Sequence, residues 1–245
     1  MSDLLRVGFV AEGPTDFVAL NAAVSALLGE VDYTPTLISP LVDKSLAAQT
    51  GGGWAKVYLW CRQMLADAGG DARKSDIFTK HEILVIQVDA DVADKKYTDD
   101  QRITNPPHDL PLNMPCDKPC KTPCPRPREI TDALRTIVLG WLNEAAMPPK
   151  TLVSIPSRSI ETWVLVALFP DDPTAVRPNI ECRRDCEVRL KTHGLIKSGQ
   201  KLIKEYRANE GAMATAWGHV RERCGEAERF SQEFLALVPP PTNRA

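Results

Sequence analysis

The stretch Ile83–Asp91, ILVIQVDAD, decides the fold. Its first six residues are apolar except for Gln87, with none of the apolar/polar alternation of a strand that has one wet face. An unbroken apolar run of this length belongs to a strand covered on both sides, the habit of parallel sheets flanked by helices. Upstream, Leu5–Val10 (LRVGFV) is a second run of strand formers. It leads through Ala11-Glu12-Gly13-Pro14-Thr15-Asp16 into the apolar periodicity of Phe17, Leu20, Ala23, Val24 and Leu27. Pro14 suits a first helical turn, where its missing N–H costs nothing. Downstream, Ile130, Leu134, Ile137, Val138, Trp141, Leu142 and Ala145 form a helical stripe, Thr151–Ile155 (TLVSI) another strand, and Ser159–Phe169 (SIETWVLVALF) a buried helix. A helix also follows Gly51-Gly52-Gly53, with Trp54, Val57, Tyr58, Cys61, Met64 and Leu65 on one face.

Strands alternating with helices predict an α/β fold over residues 1–170, Rossmann-like, with a mainly parallel sheet flanked by helices. Residues 171–245 read as a helical extension packed on that core, the pattern being clearest over 211–237. Residues 105–128 interrupt the pattern. Eight of these 24 residues are proline and cysteine recurs every fourth position in CDKPCKTPC, which forbids regular helix or central strand. No internal repeat is evident.

The 245 residues carry 30 Lys plus Arg against 32 Asp plus Glu. That near-balance excludes a basic coat over the whole molecule, although a local basic face stays possible. No apolar run approaches the roughly 20 residues needed to span a bilayer. The N-terminal MSDLLRVGFVAEG shows no charged region followed by a cleavage site, so a cytoplasmic location is expected. Seven cysteines, an odd number, then suggest thiols or metal ligands in place of a disulfide framework.

Acidic residues sit where a parallel sheet collects functional groups, at the carboxyl ends of strands. Glu12 follows the first strand, and Asp89 and Asp91 end the most apolar one. Positions i and i+2 of a strand share a face, so an Asp-x-Asp pair there predicts two carboxylates held close enough to call for a hard cation such as Mg²⁺ or Mn²⁺. Glu12, on an adjacent strand end, would complete the coordination or move a proton. Glu161 lies at an apolar helix start, where its charge needs either the same site or an ion pair with Arg158 or another basic side chain. The structural alternatives are turn-capping for Asp89 and Asp91, and favourable helix-start charges for Glu12 and Asp16.

The segments VGFVAEGPTD (7–16) and ILVIQVDAD (83–91) together resemble the TOPRIM fold of topoisomerases, bacterial primases, small ribonucleases and the overcoming-lysogenisation-defect nucleases. Ser159-Ile160-Glu161-Thr162-Trp163 resembles a signature of TOPRIM-like bacterial proteins, some linked to phage defence. The resemblance covers roughly residues 5–170. It implies Mg²⁺-dependent phosphodiester chemistry on nucleic acid, as in a defence effector or a toxin, with Glu12, Asp89, Asp91 and Glu161 as catalytic and metal-binding residues. It departs from the pattern at the Pro/Cys insertion. The topoisomerase tyrosine region and the primase zinc domain are also absent. Lys197–Lys201 (KSGQK) only resembles a P-loop, with Gln200 where its lysine belongs, so any ATPase would be a separate subunit.

Two further features remain. Cys116, Cys120 and Cys124 would gain from a Zn²⁺ staple in a proline-rich loop without a core, or else form a loop with exposed thiols; Cys182 and Cys186 repeat the spacing. Residues 183–207 hold eight Lys or Arg against three acids. Lys197, Lys201, Lys204 and Arg207 within it are candidate nucleic-acid contacts, with Lys201 and Tyr206 the foremost to test, and a solvated helix face is the plain alternative. The competing functions are a non-catalytic regulatory subunit working with an ATPase partner, and a metal-dependent nucleotide phosphotransferase. An oligomer is compatible with any of them.

Overall fold

A computed structural model of the chain describes residues 4–40, 53–104 and 126–239. In chain order the elements are β1 (Leu5–Val10), α1 (Pro14–Leu28), β2 (Tyr33–Ser39), α2 (Trp54–Asp67), a single-turn α3 (Ile77–Lys80) and β3 (Ile83–Gln87). Two 3₁₀ turns follow, Ala90–Asp94 and Tyr97–Asp99, then α4 (Arg126–Trp141), β4 (Thr151–Ser154) and α5 (Glu161–Leu168). The remainder comprises a 3₁₀ turn (Ile180–Cys182), α6 (Cys186–Thr192), the hairpin β5 (Ile196–Lys197) and β6 (Gln200–Lys201), and the short helices α7 (Ile203–Ala208), α8 (Glu210–Thr215), α9 (Trp217–Arg223) and α10 (Gly225–Leu237).

The first four strands form one sheet in the order β2-β1-β3-β4, parallel at every pairing. The α/β class with a parallel sheet between helices is therefore as expected. β2 is the element the hydrophobic pattern does not announce. Its sequence, YTPTLIS, carries Pro35 and exposes Thr34 and Thr36, with only Ser39 buried. A proline lacks the N–H that an interior strand must donate, and β2 can hold one because it lies at the sheet edge.

The pleat sends alternate residues to opposite faces. Val7, Phe9, Ile83, Val85 and Leu152 join α1, α5 and the C-terminal helices in one apolar cluster. Val10, Leu84, Ile86, Val88 and Val153 join α2 and α4 in the other. This two-sided burial accounts for the unbroken apolar run of β3. Tyr206, Trp217, Phe230 and Phe234 belong to the same cluster as α1, so the segment after Leu168 shares its core with the sheet. The helical pattern over 211–237 resolves into three helices. It breaks at Ala216 and again at Cys224, whose backbone is extended (φ −125°, ψ 110°).

One glycine in β1 is fixed by packing. A Cβ on Gly8 would lie 2.5 Å from Ile38 Cδ1 and 3.0 Å from the His81 ring, so a side chain there would force Ile38 to move. No helix among the described residues is long and apolar enough to cross a membrane.

Candidate functional site

The chain leaves β1 toward β2 on one side and returns to place β3 on the other, so the connections diverge between β1 and β3. Outside the carboxyl ends of two such strands a crevice opens that no crossover helix fills. Glu12 follows β1 and Asp89 follows β3, and the two are joined directly: the Asp89 N–H donates to Glu12 Oε1 at 2.7 Å. Gln87, the one amide in the apolar run, stitches the pair from beneath. Its Oε1 accepts from the Glu12 N–H at 3.0 Å and its Nε2 donates to Asp89 Oδ1 at 2.7 Å. Asp89 Oδ1 also accepts from the Ile160 N–H at 3.0 Å, tying it to the start of α5. The Glu12 carbonyl accepts from the Gly53 N–H at 2.8 Å, which anchors the start of α2. Gly53 has φ +100°, a conformation that favours glycine.

Asp16 in the first turn of α1 and Glu161 in the first turn of α5 are buried beside this pair, each 2% exposed. Between them stands Lys201, whose Nζ lies 2.6 Å from Glu161 Oε1 and 3.3 Å from Asp16 Oδ1. Tyr206 donates its hydroxyl to Glu161 Oε1 at 3.4 Å. Lys201 is delivered by the β5–β6 hairpin, whose two-residue turn, Ser198-Gly199, has positive φ at both positions (50° and 74°). That is the turn whose twist matches a tight hairpin. The P-loop-like KSGQK is thus a hairpin with a lysine at its end, and no phosphate-cradling loop.

Asp91 departs from the strand-face expectation. β3 ends at Gln87, Asp89 caps a 3₁₀ turn in extended conformation, and Asp91 lies within that turn, exposed, with its N–H donating to the Arg158 carbonyl at 2.8 Å. The pleat therefore does not hold Asp89 and Asp91 side by side. Their charges still meet: Asp91 acts on both Glu12 and Asp89.

The electrostatics follow from gathering acids away from water. Burial pushes the Glu12 carboxyl up to about 8; the Asp89 N–H and Lys201 oppose this, while Asp16 and Asp91 add to it. Burial and the charges of Glu12, Asp16, Glu161 and Asp91 hold Asp89 well above the usual carboxylate range. Burial raises Asp16 to about 6, with Lys201 pulling down and Glu161 pushing up. Burial alone would lower the Lys201 ammonium, but Asp16, Glu161 and Asp89 outweigh it and keep the lysine charged. Perturbed groups clustered in a crevice mark a functional site in general terms.

Among the described residues no ion pair reaches Glu12 or Asp89, whereas Asp16 and Glu161 share Lys201. No three described His, Cys, Asp or Glu side chains form a ready-made metal cage. Mg²⁺ does not need one, since it is commonly held by one or two carboxylates with waters and substrate oxygens filling the rest. The hard oxygens of Glu12 and Asp89, with Asp91 at the rim, fit that chemistry.

Of the basic residues, Lys197, Lys204 and Arg207 are exposed. Lys201 is not part of an outward-facing basic surface: its ammonium is spent on Asp16 and Glu161. Cys116, Cys120 and Cys124 lie outside the described residues, while Cys61, Cys182, Cys186 and Cys224 are buried. Gln87 was not foreseen, and a lone amide in an otherwise apolar strand was its signal. Asp16 reads from sequence only as a helix-start charge, and Lys201 as the foremost nucleic-acid contact of a basic run, not as the counter-ion of buried acids. No protein-family model, curated protein or solved structure matches this chain.

Proposed function

We propose that the chain is a Mg²⁺- or Mn²⁺-dependent hydrolase of nucleic-acid phosphodiester bonds, with a TOPRIM-like arrangement of its acidic groups. The observation that carries this reading is the joined pair Glu12–Asp89 at the sheet's switch point. The Asp89 N–H holds the Glu12 carboxylate, Gln87 and the Ile160 N–H hold that of Asp89, and among the described residues neither carboxylate has an ion-pair partner, while a third acid, Asp91, stands exposed beside them.

Glu12 and Asp89 would hold the metal, with the exposed Asp91 adding negative charge at the rim. When bound, such an ion polarises a phosphate oxygen and lowers the pKa of an attacking water. The rest is done by the chain. Gln87 and the Ile160 N–H fix the Asp89 carboxylate, and Asp89 in turn fixes Glu12. Glu12, pushed up to about 8 by burial in the metal-free chain, would give up its proton when the ion binds, which links metal uptake to proton release near neutral pH. Glu161 and Asp16 support the site through Lys201. Lys197, Lys204 and Arg207 supply charge for a phosphate backbone passing over the crevice.

The test is cleavage of labelled single- and double-stranded DNA and RNA with Mg²⁺, with Mn²⁺ and with chelator. The wild type should cut at least one polymer only when metal is present. Asp89→Asn should abolish cutting while unfolding as cooperatively as the wild type. A folded Asp89→Asn protein with wild-type cleavage, or cleavage indifferent to chelator, would overturn the proposal.

A further inference from the structure

Resting on the metal-dependent reading above, we infer that Lys201 is a built-in counter-cation that limits the acidic crevice to a single divalent ion, seated on the Glu12–Asp89 side. The crevice is divided. On one side Glu12 and Asp89 are bound to each other and to neutral donors, Gln87 and the Ile160 N–H. On the other, the Lys201 ammonium stands between Asp16 and Glu161, at 3.3 and 2.6 Å. A second dication, which in two-metal centres stands about 3.5–4 Å from the first, would have to compete with the Lys201 ammonium for Asp16 and Glu161.

Lys201 is no loose surface side chain able to yield them. Its backbone pairs with Ile196, which is 1% exposed, across a hairpin closed by Ser198-Gly199. Five residues on, Tyr206 is completely buried and donates to the same Glu161 oxygen. Displacing the ammonium would strand a charge held from both sides. The charges facing it are Asp16 from α1, Glu161 from α5, Asp89 after β3 and Glu12 after β1, all acidic, so its occupancy is favoured from every element packed against it.

The measurement is the number of Mn²⁺ ions bound, by calorimetric titration of the whole chain, together with the electron paramagnetic resonance spectrum of the loaded protein. The wild type should bind one ion and show the spectrum of an isolated Mn²⁺. Lys201→Met should bind two, with the broadening of a coupled pair; Lys201→Arg should bind one. Asp89→Asn should lose the wild-type ion, and Asp16→Asn should keep it. Two ions in the wild type would overturn the inference and leave the metal-dependent reading standing. A single ion in folded Lys201→Met would do the same. No ion in the wild type would overturn the metal-dependent reading itself, and this inference with it. Should Lys201→Met fail to fold, Lys201→Gln takes its place, with two ions expected and a single ion overturning the inference.

Discussion

Glu12→Gln should make the metal-free protein more stable, by an amount that grows with pH. The substitution keeps the shape of the side chain, and a glutamine Oε1 can still accept the Asp89 N–H that Glu12 Oε1 accepts at 2.7 Å. What it removes is a charge the fold does not want. A carboxyl raised from 4.5 to about 8 corresponds to roughly 5 kcal/mol against the ionised form at alkaline pH. Between those two values the folded chain holds a proton that the unfolded chain has released. The Glu12 contribution to wild-type stability is therefore greatest below about pH 4.5 and falls as pH rises toward 8. At pH 7 about 3 kcal/mol of that penalty is expressed. Proton uptake by Asp89 or Asp16 in place of Glu12 would absorb part of it.

The expected gain for Glu12→Gln at pH 7 is thus about 1–3 kcal/mol, with less than about 1 kcal/mol at pH 5 and more at pH 8.5. For a chain of this size it corresponds to a rise in Tm of roughly 3–10 °C at pH 7. Denaturant and thermal unfolding in chelator at the three pH values would measure it. Saturating Mg²⁺ should stabilise the wild type most at high pH, since the ion replaces the bound proton, and should barely move the variant. A Glu12→Gln protein less stable than wild type at all three pH values, or more stable by an amount independent of pH, would refute the electrostatic argument.

Gln87→Leu should preserve the apolar shape of β3 but leave the Glu12 N–H and Asp89 Oδ1 each short of a partner, costing about 1–3 kcal/mol. Because the amide orients both acids, Mn²⁺ affinity measured by titration should fall about 10–100-fold; unchanged affinity would show that Gln87 merely fills space. Gly8→Val should destabilise by about 1–3 kcal/mol in denaturant unfolding, since Ile38 and His81 occupy the place of its side chain, and a neutral result would mean that both neighbours can step aside.

The fold was legible wherever burial writes a pattern. β3 is covered on both faces, so its sequence is apolar almost without interruption, and its class could be inferred from that run alone. β2 was silent because an edge strand is half-wet and holds a proline: Tyr33, Pro35 and Leu37 alternate with the exposed Thr34 and Thr36, but Pro35 stands where a strand former would give the signal. Glu12 and Asp89 could be singled out because each follows a strand whose carboxyl end the parallel sheet turns to common use. The Asp-x-Asp spacing misled in one respect. It implied a shared pleat face, but the strand stops two residues before Asp89, and the 3₁₀ turn that follows leaves Asp89 buried and Asp91 exposed.

The sequence by itself determined the α/β class, the positions of the central strands and the acids at their ends, because hydrophobic periodicity and strand termination are local properties. Only the tertiary structure decided which charges share a crevice and which neutralise one another. Lys201 lies 40 residues from Glu161 and 185 from Asp16 along the chain. No local spacing can announce that a hairpin will bring its ammonium between them, since that pairing is set by long-range packing of the C-terminal segment against α1 and α5.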